Sequence, residues 1–446
     1  MSSINTRVMS GFMELLPEEQ VEFYRLKSII ESTYHQFGFT SIDTPNIERS
    51  EVLLAKGGDE TDQQIYFVTN GLYAKERDKQ ALRFDLTVPL ARYVADHFND
   101  LVFPFKRCHI GKVYRGERPQ RGRFREFYQC DIDVIGRNEL SIRHDAEIPS
   151  IIYQLFKKLN LGKFTIRVNN RKVLNGLFAG LGISADVSKV LRVIDKVEKI
   201  SIDELVQNFY EAGLSEEQTN SILNFMGISG DVANVLSKLE GLGINNALFE
   251  EGVSELKIVT DLMLQMGVDP DYFVIDLSIA RGLAYYTGTV YETVLDDSRI
   301  GSVCSGGRYD NLAGHYTSEN LPGVGISIGL TRLFWQLREN NMLSCNQRTV
   351  ADVVVVPSEN SDVALALSVA NELRHNSVNV DVLLEDMNFK KKFQYITRKD
   401  SRFTVIAKTV DEREILSLQY KDGDSINKEE LALDVLVERV VKELSI

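Results

Sequence analysis

Between Arg107 and Gly136 the chain reads RCHIGKVYRGERPQRGRFREFYQCDIDVIG, and this stretch constrains the fold more than any other. Aromatic and β-branched residues up to Tyr114 predict one strand, and those from Phe127 to Ile135 predict a second. The Gly/Pro-marked loop between them makes the pair a hairpin. That loop holds five arginines in eleven residues, Arg115, Arg118, Arg121, Arg123 and Arg125. Such a set repels itself on a bare surface and is better accounted for if an anion fills it, because the planar guanidinium grips phosphate bidentately. A solvated arginine-rich hairpin is the competing reading.

The 446 residues allow two or three domains with sizeable cores. The 43% hydrophobic and 26% charged fractions are those of a globular protein and exclude a disordered or fibrous one. No apolar run reaches the roughly 18 residues of a membrane span, and the N-terminal MSSINTRVMSGFMELLPEEQ lacks the apolar core of a secretory signal. A cytoplasmic protein without membrane attachment is expected. Cys108, Cys130, Cys304 and Cys345 lie far apart without metal or disulfide spacing, so no structural zinc is expected. The formal charge of -13 argues against a general nucleic-acid coat but leaves room for positive charge confined to one face.

Periodicity supplies the rest. Val21, Phe23, Leu26, Ile29, Ile30, Tyr34 and Phe37 recur at mostly helical steps, predicting a helix from Glu18 to Phe37 closed by Gly38, then a strand from Thr40 to Asp43. In LRFDLTVPLARY, residues 82–93, Asp85 and Thr87 stand two apart. On an extended segment they point to the same side, where a carboxylate and a hydroxyl suit an ammonium group; alternatively they cap a helix beginning near Pro89. Leu140 to Leu159 is helical and Phe164 to Val168 a strand. From about Arg171 to Ser254 the spacing is helical throughout, which reads as a helical insertion domain. Phe273 to Ser278 is expected as a strand, and CSGGRYD, residues 304–310, as a glycine-hinged turn. Pro322 to Leu333 is expected as a strand running into a helix, its glycines leaving room for a nucleotide. Gln336 to Thr349 reads as a polar linker. Beyond it, strands Ala351–Pro357, Val378–Leu384 and Phe403–Ala407 alternate with helices Asp362–Arg374 and Lys390–Arg398, a βαβ pattern. Lys390, Lys391, Lys392, Arg398, Lys399 and Arg402 form a basic cluster there, a binding patch or a solvated helix face.

The order of residues narrows these readings. Arg115-Gly116-Glu117, then Gly122 to Phe127, then Gln129 and Asp133, resembles motif 2 of the class II aminoacyl-tRNA synthetases in its histidyl form. The helix and proline-bearing strand of residues 18–45 resemble motif 1, which builds a dimer interface. The stretch around Asp85 and Thr87 resembles the segment that holds the substrate's α-amino group, with Asp where many bacterial members have Glu. Arg281 to Gly288, RGLAYYTG, is very similar to the peptide peculiar to histidyl enzymes and departs from its commonest form at Ala284. GGRYD matches again at its offset, and Gly323 to Leu333 resembles motif 3. After Ala407, KTVDEREILSLQY departs from the glycine-containing turn the family usually shows.

The resemblance covers nearly the whole chain and implies an α+β fold: a class II antiparallel-sheet catalytic domain in two parts, 1–170 and 255–336, a helical insertion at 171–254, a linker at 337–350 and a C-terminal α/β anticodon-binding domain at 351–446. It implies a homodimer that activates L-histidine with ATP to histidyl-adenylate and transfers it to the 3′ end of tRNA(His). Arg115 and Arg281 are then the catalytic cations, approaching the α-phosphate from opposite sides and reaching the amino acid as well. Arg115, Glu117, Arg123, Phe127 and Arg332 are expected at ATP, with Arg332 at the γ-phosphate end and Phe127 under adenine. Asp85, Thr87 and Gln129 are expected at the α-amino group and Asp133 and Tyr286 at the imidazole, while Tyr285 and Tyr309 complete the pocket. Mg²⁺ is expected on the pyrophosphate without a protein cage. The alternative is an inactive paralogue, the regulatory subunit of an ATP phosphoribosyltransferase. Those chains lose the C-terminal domain and erode the ATP arginines, whereas Arg115, Arg281 and Arg332 all stand here.

Overall fold

The structure, a computed structural model, describes residues 4–55, 63–69, 79–183, 187–194, 197, 200–279, 286–296, 301–311, 313–343, 348–422 and 425–444. Its contacts divide the chain into two units, Met1–Met13 with Leu26–Met342, and Glu14–Arg25 with Leu343–Ile446. The described elements of the first begin with α1 (Pro17–Gln36), which spans both units, then β1 (Thr40–Ser41), β2 (Ile47–Arg49), α2 (Ser50–Leu54), β3 (Phe67–Val68), β4 (Gln80–Leu82) and α3 (Thr87–Asp96). The hairpin β5 (Phe105–Tyr114) and β6 (Glu126–Ile135) follows, then α4 (Arg143–Lys158) and β7 (Phe164–Asn170). Six helices come next: α5 (Arg171–Gly180), α6 (Val187–Ile194), α7 (Ile202–Glu211), α8 (Glu216–Met226), α9 (Val232–Glu240) and α10 (Ala247–Gln265). The unit ends with β8 (Phe273–Ile275), β9 (Thr289–Leu295), β10 (Cys304–Tyr309), β11 (Gly323–Gly329) and α11 (Leu330–Glu339).

Eight of these strands form one sheet in the order β1-β5-β6-β11-β10-β9-β7-β8. It is antiparallel except at its two edges, where β1 joins β5 and β8 joins β7 in parallel. Alternation along the strands sorts the faces. Cys130, Ile132 and Val134 of β6 and Val324, Ile326 and Ile328 of β11 are all buried on the side where Tyr34 of α1 donates its hydroxyl to the Cys130 carbonyl at 3.1 Å. Each such aliphatic side chain stabilises the sheet by about 1.5–3 kcal/mol. On the same side the Tyr291 hydroxyl donates to the Asp145 carbonyl of α4 at 2.6 Å. The other face of β6 carries Phe127, Gln129, Asp131 and Asp133, and there the sheet is polar.

The stretch 304–310, expected as a turn, is instead the central strand β10, hydrogen-bonded between β11 and β9. Its glycines answer to close neighbours rather than to a bend. A Cβ on Gly306 would lie 2.0 Å from the Gly325 carbonyl oxygen and 2.6 Å from the Ile326 Cα. Gly306→Ala therefore forces strands apart and is expected to cost about 1–3 kcal/mol in urea unfolding; an unchanged midpoint would refute the packing argument. The glycines of β11 likewise clear space for protein: a Cβ at Gly323 meets the Tyr309 ring at 2.4 Å, and one at Gly325 meets Asp133 Oδ1 at 2.2 Å.

The long helical stretch contains no strand among its described residues. The division expected at 254/255 falls inside α10, which is continuous from Ala247 to Gln265. Helices α5 and α10 cross closely, since a Cβ on Gly176 would sit 2.3 Å from the Phe249 nitrogen and one on Gly252 2.6 Å from the Val173 nitrogen. The linker expected from residue 337 begins later, because α11 runs to Glu339 with Leu337 buried. The strand expected over Thr40–Asp43 pairs only at Thr40 and Ser41.

The second unit holds β12 (Val353–Pro357), α12 (Val363–His375), β13 (Val380–Val382), α13 (Phe389–Lys399), β14 (Phe403–Val410), β15 (Arg413–Asp422), β16 (Ser425–Leu431) and α14 (Leu433–Leu444). Its sheet runs β13-β12-β14-β15-β16, parallel over the first three strands and antiparallel beyond. Val353 and Val355 face a core shared with Val369, Leu373, Leu436 and Val440, while Val354 and Val356 pack on Tyr395 and Ile396. Coverage of both faces explains the unbroken valine run. The departure after Ala407 is an extension of β14 to Val410 and a tight reversal at Asp411 and Glu412, both with positive φ, as a two-residue hairpin turn requires. β15, β16 and α14 were not foreseen from periodicity. Of the basic cluster, Lys392 is buried and donates to the carbonyls of Pro357 and Ser358, and Lys399 pairs with Asp381 at 2.7 Å. Lys390 and Lys391 are exposed beside the exposed rings of Phe389 and Phe393. No described helix is long and apolar enough to cross a membrane.

Candidate active site

Two cavities of about 460 and 420 Å³ open on the polar face of the first unit's sheet and share Arg115, Glu117, Arg123, Gln129, Tyr286, Ser305 and Ser327. They are two lobes of one cleft. The first adds Phe127, Glu292 and Arg332, and the second adds Asp85, Thr87, Asp131, Asp133 and Tyr309. Every site residue expected from the sequence is thus on the cleft except Arg281 and Tyr285, which lie outside the described residues, as does Ala284.

Strand register explains the assembly. Arg107, Asp133, Gly325 and Gly307 are successive partners across β5, β6, β11 and β10, and the next row is His109, Asp131, Ser327, Ser305 and Glu292. Rows of one parity face the same way, so polar side chains from four distant segments meet.

At the neck between the lobes sits Arg115. Its guanidinium lies 4.4 Å from the Phe84 ring centroid and 5.1 Å from that of Phe127, and Nε donates to the Phe84 carbonyl at 3.2 Å. The loop arginines divide their work, contrary to a single anion-filled cluster. Arg123 lines the cleft, 3.5 Å from Glu117, whereas Arg121 pairs with Glu339 at 2.9 Å and Arg125 donates to the Glu117 carbonyl at 3.2 Å. Arg332 stands in the first turn of α11, whose start is tied to β6 by Thr331 Oγ1 accepting from the Tyr128 nitrogen at 2.8 Å.

In the second lobe Asp85 is a cap, as the alternative reading had it. Its Oδ1 accepts from the nitrogens of Thr87 at 3.1 Å and Val88 at 2.9 Å, so Thr87 opens α3 and is not extended. Burial raises the Asp85 carboxyl above its ordinary range, opposed by those amides and by Arg115. Below it, Asp133 accepts from the Tyr309 hydroxyl at 2.8 Å and pairs with Arg107, which is fully buried, at 2.5 Å. Burial still pushes Asp133 up to about 6, and Asp131 beside it to about 7, against the pull of Arg107. Asp85, Asp131 and Asp133 thus gather near the buried Arg107, and their carboxylate oxygens on the lobe can accept from a cationic ligand.

Sequence reasoning missed Arg107, Asp131, Ser305, Ser327 and Glu292. For Asp131 the signal was present, since it shares its parity with Phe127, Gln129 and Asp133.

A family model described as histidyl-tRNA synthetase matches residues 11–333, and one described as anticodon binding domain matches residues 352–443. A histidine–tRNA ligase from Clostridium tetani is 50% identical over 441 residues, 98% of each chain. The crystal structure of a histidyl-tRNA synthetase from Nostoc sp. PCC 7120 superposes with a TM-score of 0.89 at 42% identity, covering 99% of this chain and 100% of that one. A structure from Bacillus halodurans C described as an ATP phosphoribosyltransferase regulatory subunit/histidyl-tRNA synthetase matches at TM-score 0.74 and 20% identity, over 88% of this chain and 97% of that one, a likeness of fold alone.

Proposed function

The chain belongs to the histidyl-tRNA synthetase family, and we propose that it is a histidine–tRNA ligase whose two lobes take ATP and L-histidine side by side. The observation that carries the reading is Arg115 at the neck, shared with Arg123 and Gln129, with Phe127 and Arg332 on one side and Asp85 and Asp133 on the other. In the reaction a histidine carboxylate oxygen bonds to the α-phosphorus and the bond to pyrophosphate breaks. Charge grows on the α-phosphate oxygens, and fixed cations stabilise it without covalent participation by the protein. Arg115 is the described cation for that task, and Arg281 is assigned to the opposite side. Arg332 holds the γ-phosphate end, Arg123 and Glu117 face the nucleotide, and Phe127 lies under adenine.

The α-amino group falls to Asp85, Thr87 and Gln129. The imidazole falls to Asp133 and Tyr286, with Tyr309 holding Asp133 and Tyr285 closing the pocket. A site built on such polar contacts rejects analogues that cannot make them. Among the described residues no three metal-ligating side chains converge. Glu117 and Glu292 on the nucleotide lobe are oxygen donors of the kind Mg²⁺ takes one or two at a time with substrate phosphates. In this reading Mg²⁺ enters on ATP and offsets phosphate charge. The enzyme works in the cytoplasm as a homodimer. Exposed Lys390 and Lys391, with Phe389 and Phe393, offer charge and stacking faces to tRNA.

A regulatory subunit needs only the amino-acid lobe, and the nucleotide lobe with its arginines weighs against that alternative. Histidine-dependent ATP–pyrophosphate exchange, followed by charging of total tRNA, tests the reading. Exchange with histidine alone among amino acids is expected, and its absence would overturn the assignment. Arg332→Ala is expected to raise the KM for ATP by about 10–100-fold, the size of a lost charge-assisted contact, and to leave the KM for histidine unchanged.

A further inference from the structure

Gln129 is the residue at which the direction of one amide decides what the second lobe accepts. An ammonium can only be met by an acceptor, so the carbonyl oxygen of Gln129 must face the ligand and its NH₂ must face away. The structure commits the NH₂ to the protein and leaves the carbonyl oxygen as the open acceptor. Nε2 donates to Ser327 Oγ at 2.8 Å, and Oε1 is buried without a partner among the described residues. Ser327 stands opposite Asp131 in the register of β11 and β6, and its hydroxyl favours the charged form of that carboxyl. Asp131 is buried, lines the cleft, and keeps its Oδ1 without a partner among the described residues. A hydroxyl has one proton to give. An ionised Asp131 can only accept it, which leaves a Ser327 lone pair for the amide NH₂.

We propose that Asp131 and Ser327 form a relay that fixes the direction of the Gln129 amide, so that Asp131 is a positioning residue selecting a cationic α-amino group through Gln129. The inference rests on the histidine reading of this lobe. A protonated Asp131 releases the order: the carboxylic acid can donate to Ser327, which frees the hydroxyl to donate to Gln129 and lets the amide turn its NH₂ toward the ammonium. Burial places this change near pH 7. Arg107 on β5 opposes it, and Asp133 and Asp85 add to it. His109 on β5, held down to about 3 by burial and by Arg107 and Arg83, stays neutral there. The Cys304 thiol and the Tyr34 phenol are raised by burial and stay neutral as well.

The test is histidine-dependent exchange with the parent, Asp131→Asn, Ser327→Ala and the double variant. The carboxylate form is the competent one, so the parent's KM for histidine should fall as pH rises through about 7. Asp131→Asn should raise that KM about tenfold at pH 8, keep kcat and the KM for ATP within about twofold, and lose the limb near pH 7. Ser327→Ala should act in the same direction, and the double variant should be no worse than the worse single. A parent-like KM and pH profile in Asp131→Asn, additive effects in the double variant, or an equal rise in the KM for ATP would each overturn the relay. No exchange in the parent would instead defeat the histidine reading, so the two failures are distinguishable.

Discussion

Arg115→Ala will fold like the parent and lose roughly 10²–10³-fold in the rate of histidine-dependent exchange, equivalent to about 2.7–4 kcal/mol of transition-state stabilisation. Folding should survive because the side chain is half-buried on the cleft, where water can take its place beside the Phe84 and Phe127 rings and the Phe84 carbonyl. The chemistry should not survive, because the guanidinium occupies the neck shared by both lobes, where the α-phosphate has to lie if ATP and histidine sit side by side. Arg115→Lys is expected to recover little, since a point charge cannot reproduce a planar fork held between two rings. Arg281→Ala carries an expectation of the same size. Exchange within about threefold of the parent in Arg115→Ala would remove that residue from the phosphate, whatever else the protein does.

Arg308→Met is expected to lose stability rather than chemistry, by about 3–5 kcal/mol. Arg308 meets Asp145 of α4 with Nε at 3.1 and 3.0 Å from the two carboxylate oxygens and Nη2 at 2.6 Å from one of them, and Nη2 also donates to the Ser141 carbonyl at 3.2 Å. Asp145 is wholly buried. Methionine fills the volume of the stem but leaves that carboxylate without its cation. Burial already raises the Asp145 pKa with arginine in place, and removing the arginine raises it further. A folded-state pKa above the unfolded value means stability is kept at low pH and lost as pH rises through the folded pKa. The deficit of Arg308→Met should therefore shrink toward pH 4. Urea titrations at pH 4 and pH 7 check both statements, and an equal deficit at the two would exclude the uncompensated carboxylate as its cause.

How much of this was legible in the sequence follows from the range of each interaction. The hairpin of β5 and β6 was readable because its signals are local: alternation, aromatic and β-branched residues, and a marked loop. Gln129 and Asp133 were named through the resemblance, and Asp131, which the same alternation puts on their face, was overlooked because no resemblance pointed to it. The expectation for β10 failed for another reason. Two adjacent glycines ordinarily signal a bend, and here they make way for backbone belonging to strands pairing on either side. Nothing within ten residues of Gly306 carries that information. The two roles of Asp85 show the converse, since capping α3 and lining the cleft are both true of one carboxylate. The arginine loop was over-read, because repulsion among five like charges can also be relieved by glutamates and carbonyls supplied from elsewhere.

The path of the chain between β7 and β8 has a consequence for how such proteins change. These two strands are parallel neighbours, yet the six helices α5 to α10 separate them in sequence. A Cβ at Gly180 would lie 2.7 Å from Ile244 Cγ2, so the polypeptide departs and comes back at nearly one point. An excursion closed at its base can vary in length at its far turns without changing the order of the strands that align the cleft. Selection can thus alter those turns while the strand order beneath them stays fixed.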